Sequence, residues 1–299
     1  MIILAGATGD LGNRIAIELI KQNARVVALV RPGTSSEKKQ KLVSLGCIVQ
    51  EVDFSDSKAL SDACLGGGVV VSALAGLKDV MVDTQTGLLN AAVSAKVPRF
   101  IPSDFALDFA KLPADWNRNL SFRNEFRKRA DKAAIKVTSI LNGGFMNMLT
   151  GTAPFVLFKI NRILCWGNPN QLTDWTSIED TAQFTALAAL DPETPRYLKI
   201  AGDQISANGL AQVMSELTGK KFKVLRPGSI GLFKFIIGLT KLLTKETNEL
   251  YPPWQGMQYM HNMYSGVAKF DKIDNDRYQM KWVTAKELLS QFLQKNGNI

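Results

Sequence analysis

Ile2-Ile3-Leu4-Ala5-Gly6-Ala7-Thr8-Gly9-Asp10-Leu11-Gly12 is the stretch that decides the fold. Four apolar residues closed by a glycine read as a short strand buried on both faces. Asn13 to Lys21 follows, with Ile15, Ile17, Leu19 and Ile20 spaced for a helix. Between the two lies a GxxGxxG pattern. Glycines recur by chance, but a triplet that leaves a strand and opens a helix has a definite chemistry. Gly6 permits the tight turn, Gly9 lets the backbone approach a pyrophosphate, and Gly12 lets the helix pack closely on the strand. The helix N-terminus then turns its N–H groups and the positive end of its dipole toward the phosphates. Thr8, Asp10 and Leu11 complete the loop, and Asp10, an anion, is expected to point away and cap the helix.

The same rhythm continues outward. Strands are expected at Arg25 to Val30, Cys47 to Val52, Val69 to Ala73, Arg99 to Pro102 and Val137 to Leu141. Helices are expected at Lys38 to Leu45, closed by Gly46, and at Ser57 to Leu65, Val80 to Ala95 and Asn124 to Ala134. Strands alternating with helices imply right-handed βαβ units and a parallel sheet. Tyr197 to Ala201 reads as a further strand of that sheet. The expected class is α/β: a Rossmann-type, doubly wound parallel sheet with a smaller, mostly helical C-terminal substrate lobe. Residues 1–150 would form the dinucleotide-binding domain, with 174–204 returning to it, and 151–173 with 205–299 the lobe.

The end of strand two should carry the nucleotide preference. An NAD-binding chain places Asp or Glu there for the ribose hydroxyl. This chain has Val30-Arg31-Pro32-Gly33-Thr34-Ser35-Ser36, with no carboxylate before Glu37. Arg31 suits a 2′-phosphate, helped by Ser35, Ser36 and Lys38, so the expected cofactor is NADP(H). Asp53 and Phe54 follow strand three, where the adenine would lie. Ser72, Ala73 and Leu74 end strand four, on the nicotinamide side.

Composition bounds the alternatives. The chain has 299 residues and is 46% hydrophobic, enough for a large core. Three scattered cysteines and one histidine, His261, give no metal-binding pattern, so reduced thiols and no metal are expected. The positive residues behind the formal charge of +9 are spread, with local density at Arg123 to Lys136 and Lys220 to Arg226, and come with no nucleic-acid motif, so no nucleic-acid partner is expected. An anionic cofactor accounts for part of the charge. Ile230 to Leu243 is the longest apolar run, but Lys234, Gly238 and Lys241 interrupt it, and it is shorter than a membrane span. It reads as a buried or half-buried helix, with an interfacial membrane helix as the alternative. A strand at the first residues, with no signal-peptide pattern, leads us to expect a cytoplasmic protein.

The motif order GATGxxG, LVRPGTSSEKKQKL, VVVSALAG and RFIPSDF (Arg99 to Phe105) resembles the NmrA-like, isoflavone-reductase-like group of atypical short-chain dehydrogenases. The resemblance is good over Met1 to about Asn147 and thinner beyond. It implies an NADPH-dependent reductase of an aromatic or quinone-like small molecule. It also implies that Ser103, in the Pro-Ser-acid-Phe turn, lies at the nicotinamide end.

Ordinary short-chain dehydrogenases use Tyr-x-x-x-Lys, and this chain has no tyrosine before Tyr197. The resemblance places the family's catalytic lysine on the helix before strand six, where counting without a gap gives Arg123. A guanidinium stays protonated and cannot act as a general base, but it can stabilise an oxyanion. Lys111 is a second candidate. Phe105, Phe109, Phe145, Met146, Met148, Trp254, Tyr259 and Met263 are candidates for an apolar substrate pocket. The alternative function is a redox-sensing regulator that binds NADP without turnover.

Overall fold

The computed structural model describes residues 1–244 and 248–297. In chain order it runs β1 (Ile2–Ala5), α1 (Asp10–Lys21), β2 (Val26–Val30), α2 (Ser36–Ser44), β3 (Ile48–Glu51), α3 (Ser57–Cys64) and β4 (Val69–Ser72). A π-helical turn, Asp79–Thr84, leads into α4 (Gln85–Ser94), then β5 (Arg99–Ile101), α5 (Arg118–Ala130), β6 (Lys136–Val137), β7 (Ser139–Leu141) and β8 (Gly144–Phe145). There follow β9 (Val156–Leu157), β10 (Arg162–Leu164), β11 (Thr173–Thr176), α6 (Ile178–Leu190), β12 (Tyr197–Lys199) and β13 (Asp203–Ile205). The chain closes with α7 (Ala207–Thr218), β14 (Lys223–Leu225), α8 (Ile230–Leu243), α9 (Pro253–Tyr264) and α10 (Ala285–Asn296).

Residues 1–105, 122–141 and 181–198 form one compact unit. Its sheet has the order β3-β2-β1-β4-β5-β6, and every pair is parallel. β1, β2 and β4 are buried throughout, which is why they are apolar almost without a break, Ser72 at the end of β4 excepted, rather than alternating. Ile3, Val27, Leu29, Val70 and Phe100 pack with Leu88, Leu89 and Phe126 from the helices on one face. The chain order reverses between β1 and β4. That reversal opens a crevice beyond the carboxyl ends of those strands, where open α/β sheets bind ligands.

Strand six is divided, but its backbone explains why Tyr197 to Ala201 reads as a neighbour. The Thr138 N–H donates to the Phe100 carbonyl at 2.9 Å, and the next N–H, of Ser139, donates the other way to the Arg196 carbonyl at 2.9 Å. β7 and β12 thus form a separate two-stranded ladder, so the strand expected at Tyr197 to Ala201 pairs with β7 and is not a member of the six-stranded sheet. α5 starts at Arg118, earlier than the expected Asn124, because the Asn117 carboxamide oxygen accepts the Leu120 N–H at 3.1 Å and fixes the first turn.

Residues 106–121, 142–180 and 199–299 form the second unit. This differs from the expected boundaries: 106–121, 142–150, 174–180 and 199–204 belong here. The local bonding gives the reason. The Asn142 and Gly143 N–H groups both donate to the Ala106 carbonyl, and β8 pairs with β11. The buried Asp174 carboxylate accepts from the Gln204 amide and the Phe270 N–H. The unit is helical at its C-terminal end but also holds two three-stranded sheets, β14-β10-β9 and β13-β11-β8. Strands of two to four residues carry too little periodicity to be read in sequence.

Candidate cofactor cleft

A cleft of about 650 Å³ lies in the first unit at the strand-order reversal. Gly6, Thr8 and Gly9 line its floor, Leu29 to Ser35 with Lys38 and Phe54 one wall, and Ala73 to Ala75 with Val80 and Thr84 the other. The three glycines have different reasons to be glycine. Gly6 has φ +86°, and a Cβ on it would lie 2.5 Å from the Ala73 carbonyl oxygen. A Cβ on Gly12 would collide outright with the Gly6 carbonyl. Gly9 is different: its φ is −84°, and a Cβ would come no closer than 3.4 Å to the Gly6 oxygen. Nothing inside the protein demands glycine there, so the demand comes from the cleft that Gly9 lines.

Gly9 is also the N-cap of α1, and no side chain caps that helix. The first helical bond is made by the Asn13 N–H to the Gly9 carbonyl at 2.9 Å. The N–H groups of Asp10, Leu11 and Gly12 precede it and are the natural donors to an anion. The Asp10 carboxylate accepts from Arg14 Nε at 2.9 Å. It pairs with Arg14 instead of capping the helix, whose N-cap is Gly9.

Arg31 stands at the end of β2, in a turn held by the Thr34 hydroxyl donating to its carbonyl at 2.7 Å. Ser35 is the N-cap of α2 and accepts from the Lys38 N–H, which places Ser36 at the first helical position and Lys38 in the first turn. Among the described residues neither the Arg31 guanidinium nor the Lys38 ammonium has an acidic partner, and both line the cleft. Asp53 is committed locally: it accepts from the Ser55 N–H at 2.8 Å and hydroxyl at 2.7 Å, and these bonds hold its carboxyl below the usual range. Its neighbour Phe54 lines the cleft.

Ser72 is fully buried below the cleft floor, while Ala73 and Leu74 line the wall. Ser103 does not line it. Its hydroxyl donates to the Leu74 carbonyl at 2.7 Å, and its N–H donates to the Gln85 carboxamide at 2.8 Å. Ser103 therefore shapes the wall from behind. Gln85 was not among the expected residues; it stands between Thr84 and Thr86, and its partner lies 18 positions away, so no local pattern marks it. Val80 and Thr84 were missed too, because the π-helical turn carrying them reads as ordinary helix. Gly76 lets Val80 close in, since a Cβ there would lie 2.5 Å from the valine.

Arg123 lies on α5, half-buried. Its positive charge acts on Asp104, the acid of the Pro-Ser-Asp-Phe turn. Asp104 is fully buried, and burial raises its carboxyl above the usual range; the Ser139 hydroxyl and the charges of Arg123, Arg196 and Arg127 pull it back. Lys111, the second catalytic candidate, is engaged elsewhere: its ammonium donates to Asp271 at 2.7 Å and to the Lys269 carbonyl at 2.8 Å.

The expected substrate residues divide between the units. Phe105 belongs to the first and is buried. In the second, Met146, Trp254 and Met263 are buried, and Phe145 and Tyr259 are half-buried. Met263 and Trp175 press on Gly144, beside Phe145. The Trp254 ring carries the Arg118 guanidinium 4.8 Å and the Lys241 ammonium 5.3 Å from its centroid. His261 is buried edge-on to Trp116 at 5.2 Å, and burial lowers its pKa, which keeps it neutral. The three cysteines are buried and free, and burial pushes the Cys64 and Cys165 thiols up to about 11.

The NmrA-like family model matches residues 1–287. Pinoresinol reductase 2 of Arabidopsis thaliana is 28% identical over 239 residues, covering 74% of this chain and 75% of that protein. The solved structure of AtPrR2 with NADP+ and (+)pinoresinol superposes with a TM-score of 0.81 at 25% identity, over 97% of this chain and 98% of that one. An NADPH-dependent quinone oxidoreductase of Escherichia coli shares the fold, with a TM-score of 0.75 at 19% identity over 98% of this chain and all of that one.

Proposed function

The chain belongs to the NmrA-like family, and on that premise we propose that it is an NADPH-dependent reductase of an aromatic or quinone-like small molecule. The observation that carries this is the pair Arg31 and Lys38, two cations without an acidic partner among the described residues, on the wall of a cleft floored by Gly6 and Gly9. The residues present fit NADPH. The α1 N-terminus and the bare Gly9 backbone receive the pyrophosphate, Arg31 and Lys38 hold the 2′-phosphate, and Phe54 packs on the adenine. Ala73 and Leu74, held by Ser103, flank the nicotinamide half.

Bound NADPH supplies the hydride. This chain's residues supply position and charge. Arg123 holds a permanent positive charge, so its part is to stabilise negative charge on a substrate oxygen rather than to move a proton. An acceptor whose reduced oxyanion is protonated by water needs no more than that, and quinones are of this kind. Phe145, Met146, Trp254, Tyr259 and Met263, all of the second unit, are the proposed apolar residues for such a substrate.

Following NADPH oxidation across a panel of quinones and lignan-type aromatics tests this reading. Saturable turnover with at least one acceptor supports it. Tight NADPH binding with background oxidation across the panel supports the second reading, a redox-sensing binder. What favours that second reading is Arg123 itself, since its charge is already shared with the buried Asp104.

A further inference from the structure

Helix α8 is the one element whose sequence and surroundings pull in different directions. One face is buried: Phe233 stacks on Trp166 with ring centroids 4.3 Å apart, and Ile237 lies beneath the helix. The opposite face carries Leu232, Phe235, Leu239, Leu242 and Leu243, spaced by three, four, three and one. They fall on one stripe of a 3.6-residue helix. That stripe is in the open, with Phe235 67%, Leu242 82% and Leu243 76% exposed. The buried or half-buried helix expected from the sequence is therefore only half covered.

The segment that leads into this stripe and carries it is basic. From Leu217 to Thr244 the chain has Lys220, Lys221, Lys223, Arg226, Lys234 and Lys241 and no aspartate or glutamate. Six positive charges in this short span, out of a net +9, mark a basic surface. Arg226 precedes the helix by four residues, and Lys223 and Arg226 are exposed. Lys234 and Lys241 lie along one side of the helix, their ammoniums 4.6 Å from the Trp116 and 5.3 Å from the Trp254 ring centroid. A long exposed apolar stripe on a helix whose own span and approach carry lysine and arginine but no acid is the pattern of a helix that lies in a lipid interface. No helix among the described residues is long and apolar enough to cross a membrane, and this one has no need to.

We propose that the exposed face of α8, with the basic segment Lys220–Arg226 that leads into it, docks this protein on an anionic lipid surface. The stripe enters the boundary between headgroups and acyl chains, and the lysines and Arg226 meet lipid phosphates. The neutral alternative, a second copy of this chain, is less well matched, because pairing two such faces brings two all-positive segments together.

The experiment is co-sedimentation of the full chain with vesicles of phosphatidylcholine, with and without phosphatidylglycerol. Binding should require the anionic lipid and fall steeply as salt shortens the range of the charges. Phe235→Glu with Leu242→Glu should weaken binding by about tenfold or more. Lys220→Glu with Lys223→Glu should remove the dependence on phosphatidylglycerol. All four positions are exposed, so melting temperature and NADPH affinity should not change. Failure to sediment with phosphatidylglycerol vesicles overturns the proposal, as does binding that survives the Phe235→Glu, Leu242→Glu change. A dimer seen by light scattering, split by that same change in a protein that ignores vesicles, overturns it in favour of self-association.

Discussion

The Ser139 hydroxyl donates to the buried Asp104 carboxylate at 2.6 Å. The same hydroxyl accepts from the Arg196 guanidinium at 2.7 Å, and Arg196 in turn holds Asp131 through two bonds. Burial nonetheless dominates and raises the Asp104 pKa. A raised pKa means that the folded state binds this proton more tightly than the unfolded state does. The stabilisation is complete below the unfolded pKa of about 3.9 and is lost as pH rises through the folded value. Asp104→Asn keeps the shape and the acceptor for Ser139 without the charge. The melting temperature of Asp104→Asn minus that of wild type should therefore climb as pH rises from about 4 toward neutrality. Circular dichroism melts across pH decide the matter. A difference that falls with pH means that the three arginines hold the carboxylate ionised.

Arg31 should set the preference for NADPH. A guanidinium–phosphate contact is charge-assisted and commonly bidentate. Removing it by Arg31→Ala should cost about 1.5–3 kcal/mol, roughly a ten- to hundredfold loss of NADPH affinity. NADH has no 2′-phosphate, so its binding should not change. Calorimetric titration of both nucleotides gives the answer, and an Arg31→Ala protein with wild-type NADPH affinity refutes the assignment.

Gly9 and Gly12 should fail in different ways. Gly9→Val puts a side chain into the cleft, and its Cβ meets only the Gly6 oxygen from inside. It should fold, at a cost of about 1 kcal/mol from a poorer N-cap, and lose NADPH binding. Gly12→Ala drives a Cβ into the Gly6 carbonyl and should lower the melting temperature or prevent folding. If Gly9→Val binds NADPH normally, the pyrophosphate does not lie on this loop.

How legible the chain is depends on the range of the interaction read. The first sheet is written locally: Ile2–Ala5, Val26–Val30 and Val69–Val71 are buried on both faces and so are apolar without interruption. Gly6, Gly9 and Gly12 announce the turn because only glycine fits two of those positions. The second unit is not local. Gly144-Phe145 becomes a strand only because Trp175-Thr176 lies beside it, and nothing within two residues encodes that. Gln85, Ser139 and Arg196 escaped notice for the same reason. Their tasks, holding Ser103 and Asp104, are defined by partners 18, 35 and 57 positions away along the chain.

Arg123 separates catalysis from sensing. Suppose the protein is a reductase. Then the fixed guanidinium stabilises the oxygen that gains charge as the acceptor is reduced, and removing one such donor costs about 10²–10³ in turnover. Arg123→Ala should lose that much while its NADPH affinity stays unchanged, because Arg123 lies on α5 and not among the residues lining the cofactor cleft. Arg123→Lys keeps the charge and adds a group that can release a proton when desolvated. It should retain quinone reduction and extend activity to acceptors that need a proton from the protein. If the protein is instead a sensor, wild type and both variants should bind NADPH alike and oxidise it at the background rate. Asp104 supplies an internal control: Arg123→Ala removes a charge that favours its ionised form, so the melting temperature should drop more at neutral pH than at pH 4 in either case. Steady-state rates and nucleotide titrations on the three proteins distinguish these outcomes. Quinone reduction unchanged in both variants would remove Arg123 from the mechanism and leave its charge as a partner of Asp104 alone.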